Sequence, residues 1–213
     1  GKDGTQNQSF GIRSENKTNI TIRDCTIRDI NSSGNLGIAI NITNSNETRV
    51  LNSTIATNGT NNNYGILINL RSERTTVDNT TIQSSTSGSN NHGIQIELAN
   101  NNSIRHANIT TSGTFGYGFH ILLSNSTLIQ HTILTNPVAW LNTSPNSFNN
   151  ISNLTFLNGS ASVRFFDVIQ INNSQDINQS KLNMSSNRAF LNSTNLSFLN
   201  TSAQIALLDI NVF

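Results

Sequence analysis

Four histidines, eleven acidic residues and one cysteine are the side chains of this 213-residue chain that could move a proton, hold a metal or attack a substrate. Their spacing brings few of them together. His106 and His131 stand 25 residues apart, one repeat by the argument below, but two imidazoles need further ligands to enclose a metal, and no Cys or acidic neighbour lies at ligand spacing. They read as residues of a solvated turn. Cys25 has no second cysteine to pair with and reads as a small side chain in a turn. Nowhere does the chain carry Asp-Asp or Asp-X-Asp, so no two aspartates lie adjacent or alternate in sequence. Gly113, Gly116 and Gly118 lack the lysine and following helix of a phosphate loop. Trp140, between Pro137 and Pro145, reads as a local packing anchor ahead of a sugar platform; with Arg164 and Asp167, in the irregular segment 136–170, it is the natural candidate of the alternative reading as a carbohydrate-binding or carbohydrate-cleaving site.

Asparagine offers a different chemistry. Of 38 asparagines, 22 begin an Asn-X-Ser/Thr triplet, against roughly nine expected by chance from the serine and threonine content. Such triplets accept N-glycans on exported chains. Asn58, Asn142, Asn158 and Asn172 fall in loops and are the better acceptors, followed by Asn41, Asn108, Asn153 and Asn200. Asn52 and Asn79 also begin triplets, but they fall in a stacked column where a glycan has less room. Covalent N-glycans are the only non-protein group expected; no cofactor or metal is.

The elements that must carry these residues repeat. Gly37-Ile38-Ala39-Ile40-Asn41-Ile42, Gly65-Ile66-Leu67-Ile68-Asn69-Leu70 and Gly93-Ile94-Gln95-Ile96-Glu97-Leu98 follow at steps of 28, and Gly118-Phe119-His120-Ile121-Leu122-Leu123 after 25. Alternation of period two makes each a strand. A second element ends on apolar anchors five apart, Ile22 with Ile27, Val50 with Ile55, Val77 with Ile82 and Ile104 with Ile109. Residues five apart in one strand face opposite ways, so the backbone must bend between them. Asp24, Asn52, Asn79 and His106 mark the bend, and Asn and Asp tolerate the left-handed conformation a tight corner needs. If each unit is one coil, equivalent positions stack at about 4.8 Å. Ile38, Ile66, Ile94 and Phe119 then form one interior ladder, and Ile40, Ile68, Ile96 and Ile121 the next.

This pattern resembles the right-handed parallel β-helix superfamily, which includes pectate lyases, polygalacturonases, phage tailspikes and many surface adhesins. The expectation is an all-β chain, one solenoid domain over 1–213 of about eight coils at 25–28 residues each. Regular coils are expected over 10–135. Beyond 136 they become less regular, with Val163–Phe165, 177–182, 190–191 and 196–198 as drifted copies. The resemblance implies that an enzyme would work from the outer face of a strand ladder, with clustered carboxylates. The outward columns expected here are Ala39, Leu67, Gln95 and His120, then Asn41, Asn69, Glu97 and Leu122, which contain one carboxylate. Asn91-His92-Gly93 resembles the Gly-His-Gly of polygalacturonases without its first glycine or an acidic partner motif. No catalytic residue is therefore expected.

Twelve basic against eleven acidic residues gives no electrostatic case for nucleic acid, and no apolar run is long enough to insert into a membrane. Neither terminus shows a cap helix, and the tail from Gln204 reads as an uncovered apolar strand. These features predict an exported, non-enzymatic subunit of a cell-surface filament, sheath or adhesin stalk, assembling head to tail with itself and possessing an N-glycosylated surface. The alternatives are a polysaccharide-binding or polysaccharide-cleaving β-helix that meets surface glycans, and a tail-fibre or tailspike trimer.

Overall fold

The computed structural model describes residues 8–30, 36–84, 88–135, 139–145, 147–158, 161–185, 188–192 and 194–207. The loop 31–35, residues 85–87 and 136–138, and the tail 208–213 lie outside the described residues. Three short strands make each coil. They are β1 (Gln8–Glu15), β2 (Thr21–Arg23) and β3 (Thr26–Ile30); β4 (Leu36–Thr43), β5 (Arg49–Leu51) and β6 (Thr54–Thr57); β7 (Asn63–Asn69), β8 (Thr76–Asp78) and β9 (Thr81–Ser84); β10 (His92–Glu97), β11 (Ser103–Arg105) and β12 (Asn108–Thr111); β13 (Tyr117–Leu122), β14 (Thr127–Gln130) and β15 (Ile133–Thr135); and β16 (Ala139–Thr143), β17 (Phe148–Ser152) and β18 (Leu154–Asn158). The first strands of the coils pair in parallel as one sheet, the second as another and the third as a third, which makes the fold a right-handed parallel β-helix.

The second and third sheets keep the expected register. Ile22, Val50, Val77, Ile104, Ile129 and Ile151 stack in one column, and Ile27, Ile55, Ile82, Ile109, Leu134 and Phe156 in the other. Between them Asp24, Asn52, Asn79, His106, His131 and Asn153 all have φ between 47° and 54°. The residue after each corner folds inward. Ser53 Oγ donates to the Leu51 carbonyl, and Thr80 and Thr132 make the same bond to Asp78 and Gln130. Cys25 Sγ takes this place in the first coil, donating to the Arg23 carbonyl, so the thiol does a hydroxyl's structural task.

The first sheet corrects the expected ladder. Ile38 pairs with Tyr64, and it is Ile40 that lies against Ile66. The interior columns are Ile12, Ile40, Ile66, Ile94, Phe119 and Leu141, and beside it Ser14, Ile42, Ile68, Ile96, Ile121 and Thr143. Ile38 is buried but stands apart from the interior cluster. The cause is a bend one residue before the interior column. Ala39 points into the core there, in place of the outward position expected of it. Glycine fills the same place in other coils, and a Cβ on Gly93 would overlap the Ile109 methyl. Ala39, not Gly37, is thus the structural equal of Gly65, and aligning the glycines misplaced the second coil by two residues.

The coils also number fewer than the eight expected. Regular stacking continues past residue 135 through β18, then the chain reverses. β19 (Ala161–Phe165), β20 (Ile169–Asn172) and β21 (Gln175–Asn178) pair antiparallel with β18, β17 and β16, one on each sheet. β22 (Leu182–Ser185) and β23 (Arg188–Leu191) form a hairpin, a 3-10 turn spans Ser197–Leu199, and β24 (Ala203–Leu207) pairs with β19. Leu182, Met184, Leu196 and Leu199, each at most 3% exposed, close the interior over Trp140 and Phe156. The segments expected as drifted coils are therefore a cap, and Gln204–Leu207 is a paired strand of it. At the other end β1, β2 and β3 each have one strand neighbour among the described residues, and Ile12, Ile20 and Ile30 are only partly buried.

Candidate functional site

Because the first-sheet strands alternate, their outward side chains form columns of their own. Asn41, Leu67, Gln95, His120 and Asn142 stack in register and end on Asp176, which the antiparallel β21 contributes. Thr43, Asn69, Glu97 and Leu122 form the next column. Both hold the residues expected to face outward, with the second coil moved by the same two residues. On the opposite flank Tyr64 stacks on His92 at 5.3 Å with planes 5° apart, and His92 meets Tyr117 at 5.6 Å.

The two flanks enclose an open cavity of about 370 Å³ lined by Tyr64, His92, Gln95, Tyr117, His120 and Asn142, with Asn90 and Phe115 at its end. The His92 and His120 rings lie 4.4 Å apart. Burial, and secondarily each other's proximity, hold His92 well below the usual imidazole range, and burial brings His120 down to about 4. Burial pushes Tyr117 up to about 12, with the Asp176 charge adding to it, and burial followed by the Glu97 charge raises Tyr64. At neutral pH the four rings are uncharged. Among the described residues no lysine or arginine lines the cavity. It therefore offers hydrogen bonds without net attraction for an anion.

Phe115 is the exposed aromatic of the group, at 59%. It occupies a corner column with Asn62 and Asn90, at φ 57°, where the asparagines bond to one another at 3.2 Å. A bulky side chain in that conformation costs on the order of 1 kcal/mol. The corner on the far side of the sheet shows the same exchange. Asn16 and Asn44 bond at 2.6 Å, and the column then continues as Leu70, Leu98 and Leu123, which are 51%, 42% and 54% exposed. Strict period two would put Leu70 on the face of Ile66 and Ile68; the left-handed turn at φ 50° swings it out.

The other candidates fall elsewhere. His106 and His131 do stack on the second corner, at 5.2 Å, with Asp78 accepting from His106 Nδ1 and Asn153 donating to His131. Among the described residues no group of three ligands could hold a metal. Trp140 is fully buried and donates its indole N–H to the Leu182 carbonyl. Arg164 donates to Asn153, and Asp167 accepts from Thr201 and Ser202, so these three share no cleft. Of the eight glycan-acceptor candidates, Asn58, Asn108, Asn172 and Asn200 are exposed, Asn142, Asn153 and Asn158 are half-buried, and Asn41 is buried with its Oδ1 accepting from Thr43.

The alternation of the sequence places Gln95, His120 and Glu97 on the outer face but does not disclose the cavity. Tyr64, His92 and Tyr117 precede the glycine-initiated motif, and Asp176 arrives from a strand of the cap. The signal was the spacing of His92 and Tyr117, each one residue before a repeat glycine. Comparison with protein families, with curated proteins and with solved structures finds no match to this chain.

Proposed function

We propose that this chain is a non-catalytic carbohydrate-binding β-helix of an exported surface protein, which holds an uncharged glycan across its first sheet. The observation that supports it is the cavity between the Tyr64–His92–Tyr117 flank and the Gln95–His120–Asn142 column, with an exposed phenylalanine at its end. Polar rings and amides suit hydroxyl groups, and an aromatic face suits the apolar face of a sugar ring. Glu97 is engaged by the Gln95 amide at 3.1 Å, and Asp176 by Asn178 at 2.7 Å, so neither stands as one of a close pair of free carboxylates. The exposed triplets at Asn58, Asn108, Asn172 and Asn200 give the same protein a coat of N-glycans on export.

Titrating the purified protein with neutral and acidic polysaccharides tests this reading. Saturable binding of a neutral polymer, weakened in Phe115→Ala and unaccompanied by new reducing ends or unsaturated products, is the expected result. Binding by none, or release of product, overturns it.

The assembling subunit is retained as a second reading on one observation. Among the described residues the strands of the first coil have a strand neighbour on one side only, and its isoleucines are half-covered. Its counterpart end is sealed by Leu182, Leu196 and Leu199, so a next subunit would meet no open apolar cross-section there. Electron microscopy of purified protein distinguishes filaments, threefold particles and single rods.

A further inference from the structure

The two imidazoles of the cavity differ in what holds them. The backbone N–H of Tyr117 donates to His92 Nδ1 at 3.2 Å. That nitrogen is consequently the bare one, and the proton of a neutral His92 sits on Nε2. His120 is fixed by a longer chain of contacts. The Gln95 amide donates to Glu97 Oε2 at 3.1 Å, which orients it, because a carboxylate can only accept. The oxygen of Gln95 is then the atom 3.3 Å from His120 Nδ1, and an amide oxygen also only accepts. His120 must donate from Nδ1, leaving Nε2 with its lone pair. Two rings 4.4 Å apart, both neutral at pH 7, are thus held in opposite tautomers.

We propose that His92 and His120 form a donor–acceptor pair that reads a vicinal diol of an uncharged sugar, with Glu97 a positioning residue acting through Gln95. This rests on the carbohydrate reading above. One hydroxyl of the diol accepts from His92 Nε2–H, and its neighbour donates to His120 Nε2. A single hydroxyl placed between the rings can serve both, accepting from one and donating to the other, whereas the diol gives each Nε2 its own oxygen; a ligand that fills only one of the two positions leaves the other polar edge without its partner. Uronates and sulfated sugars find no cation among the lining residues. A glucan linked 1,4 keeps its 2,3-diol in every internal unit, whereas one linked 1,3 has no adjacent pair of free hydroxyls along the chain.

Long-range nitrogen–proton NMR on labelled protein at pH 7 reads which nitrogen of each ring bears the proton, independently of any ligand. The expected spectrum shows Nε2–H for His92 and Nδ1–H for His120, and Glu97→Gln, which frees Gln95 to turn over, moves the His120 proton toward Nε2. Titration of the same samples with 1,4-linked and 1,3-linked glucan and mannan oligosaccharides supplies the second readout. Binding confined to polymers with the internal diol, lost on periodate treatment and weakened about five- to tenfold in Glu97→Gln, supports the proposal. Identical tautomers in the two rings, or equal binding of both linkages, overturn the diol pair while leaving carbohydrate binding standing. Opposite tautomers with no binding of any polymer overturn the carbohydrate reading and with it the assigned ligand.

Discussion

The side-chain amide of Asn79 donates to Oδ1 of Asn52 at 3.0 Å, and both residues hold φ at 48°. Each asparagine relieves the cost of a left-handed corner and also ties its coil to the one before. Asn79→Ala removes both contributions and is expected to lower unfolding free energy by about 1–2 kcal/mol. Asn79→Gly loses the amide but keeps the conformation, and should lose about half as much. Urea unfolding of the three proteins measures it; equal loss in both variants would mean that the backbone preference contributes nothing.

Leu98 presents the opposite case. It holds φ 51° and exposes 42% of itself, so neither its backbone nor its side chain is in a preferred setting. Leu98→Asn should raise stability by about 0.5–1 kcal/mol. A lower urea midpoint in the variant would show that contact with Leu70 and Leu123 along the column outweighs the corner strain.

Those two corners differ in how legible they are in the sequence. The Asp24–Asn52–Asn79–His106 corner was readable because turn-forming residues mark it in successive coils and the flanking anchors stay five apart. The Asn16–Asn44–Leu70–Leu98–Leu123 corner was hidden, since a leucine at the end of an alternating run reads as one more buried residue. Without that corner nothing in the sequence fixes the register of the second coil, and aligning the glycines puts Ile38 in an interior that Ile40 occupies. The cap was hidden because antiparallel strands alternate just as parallel ones do. In the sequence Asn158-Gly159 is a dipeptide of hairpin turns as well as the start of a glycan-acceptor triplet, and β18, which ends at Asn158, pairs antiparallel with β19. The cavity depends on both hidden features, so its parts were visible and their meeting was not.

Trp140, the only tryptophan, reports on that cap. Its indole N–H bonds the Leu182 carbonyl at 3.2 Å and its ring meets Phe156 edge-on at 5.5 Å. Trp140→Phe leaves the carbonyl unpaired and a void beside it, a loss of about 2–3 kcal/mol by thermal or urea unfolding. Leu196→Ala, from the far side of the cap, should cost about 2–4 kcal/mol and shift the tryptophan emission in the same transition that circular dichroism follows. Two separate transitions would show that the cap unfolds without the coils.

His92 and His120 make the fold sensitive to acid above the range in which carboxylates titrate. The unfolded chain takes up these protons near pH 6.5, whereas the folded protein resists, His120 until about pH 4 and His92 well below the ordinary value. Between those limits the unfolded state binds more protons, so stability is full above about pH 6.5 and falls as pH drops. The nearby acidic groups act on the tyrosines, Glu97 on Tyr64 and Asp176 on Tyr117, and among the described residues no basic side chain lines the cavity to offset the histidine contribution. Because His120 is partly solvated, the expected loss between pH 7 and pH 4.5 is on the order of 1–2 kcal/mol. His120→Gln should flatten the urea midpoint over that range. An unchanged slope in the variant would assign the acid sensitivity to other groups.

Phe115 separates binding from folding most sharply. Its column is occupied in the two preceding coils by Asn62 and Asn90, at φ 51° and 57°, and it takes φ 57° itself with its ring 59% exposed. Asparagine suits that conformation and could extend the amide ladder, so Phe115→Asn should fold at least as well as the native chain and gain up to about 1 kcal/mol. The same substitution removes an exposed aromatic face from the lining of the cavity. Affinity for a neutral polysaccharide should then fall about tenfold while the unfolding midpoint rises, a pairing that simple damage to the fold does not produce. If binding survives in this variant, the ligand does not rest on Phe115, and the strain at that corner needs another explanation.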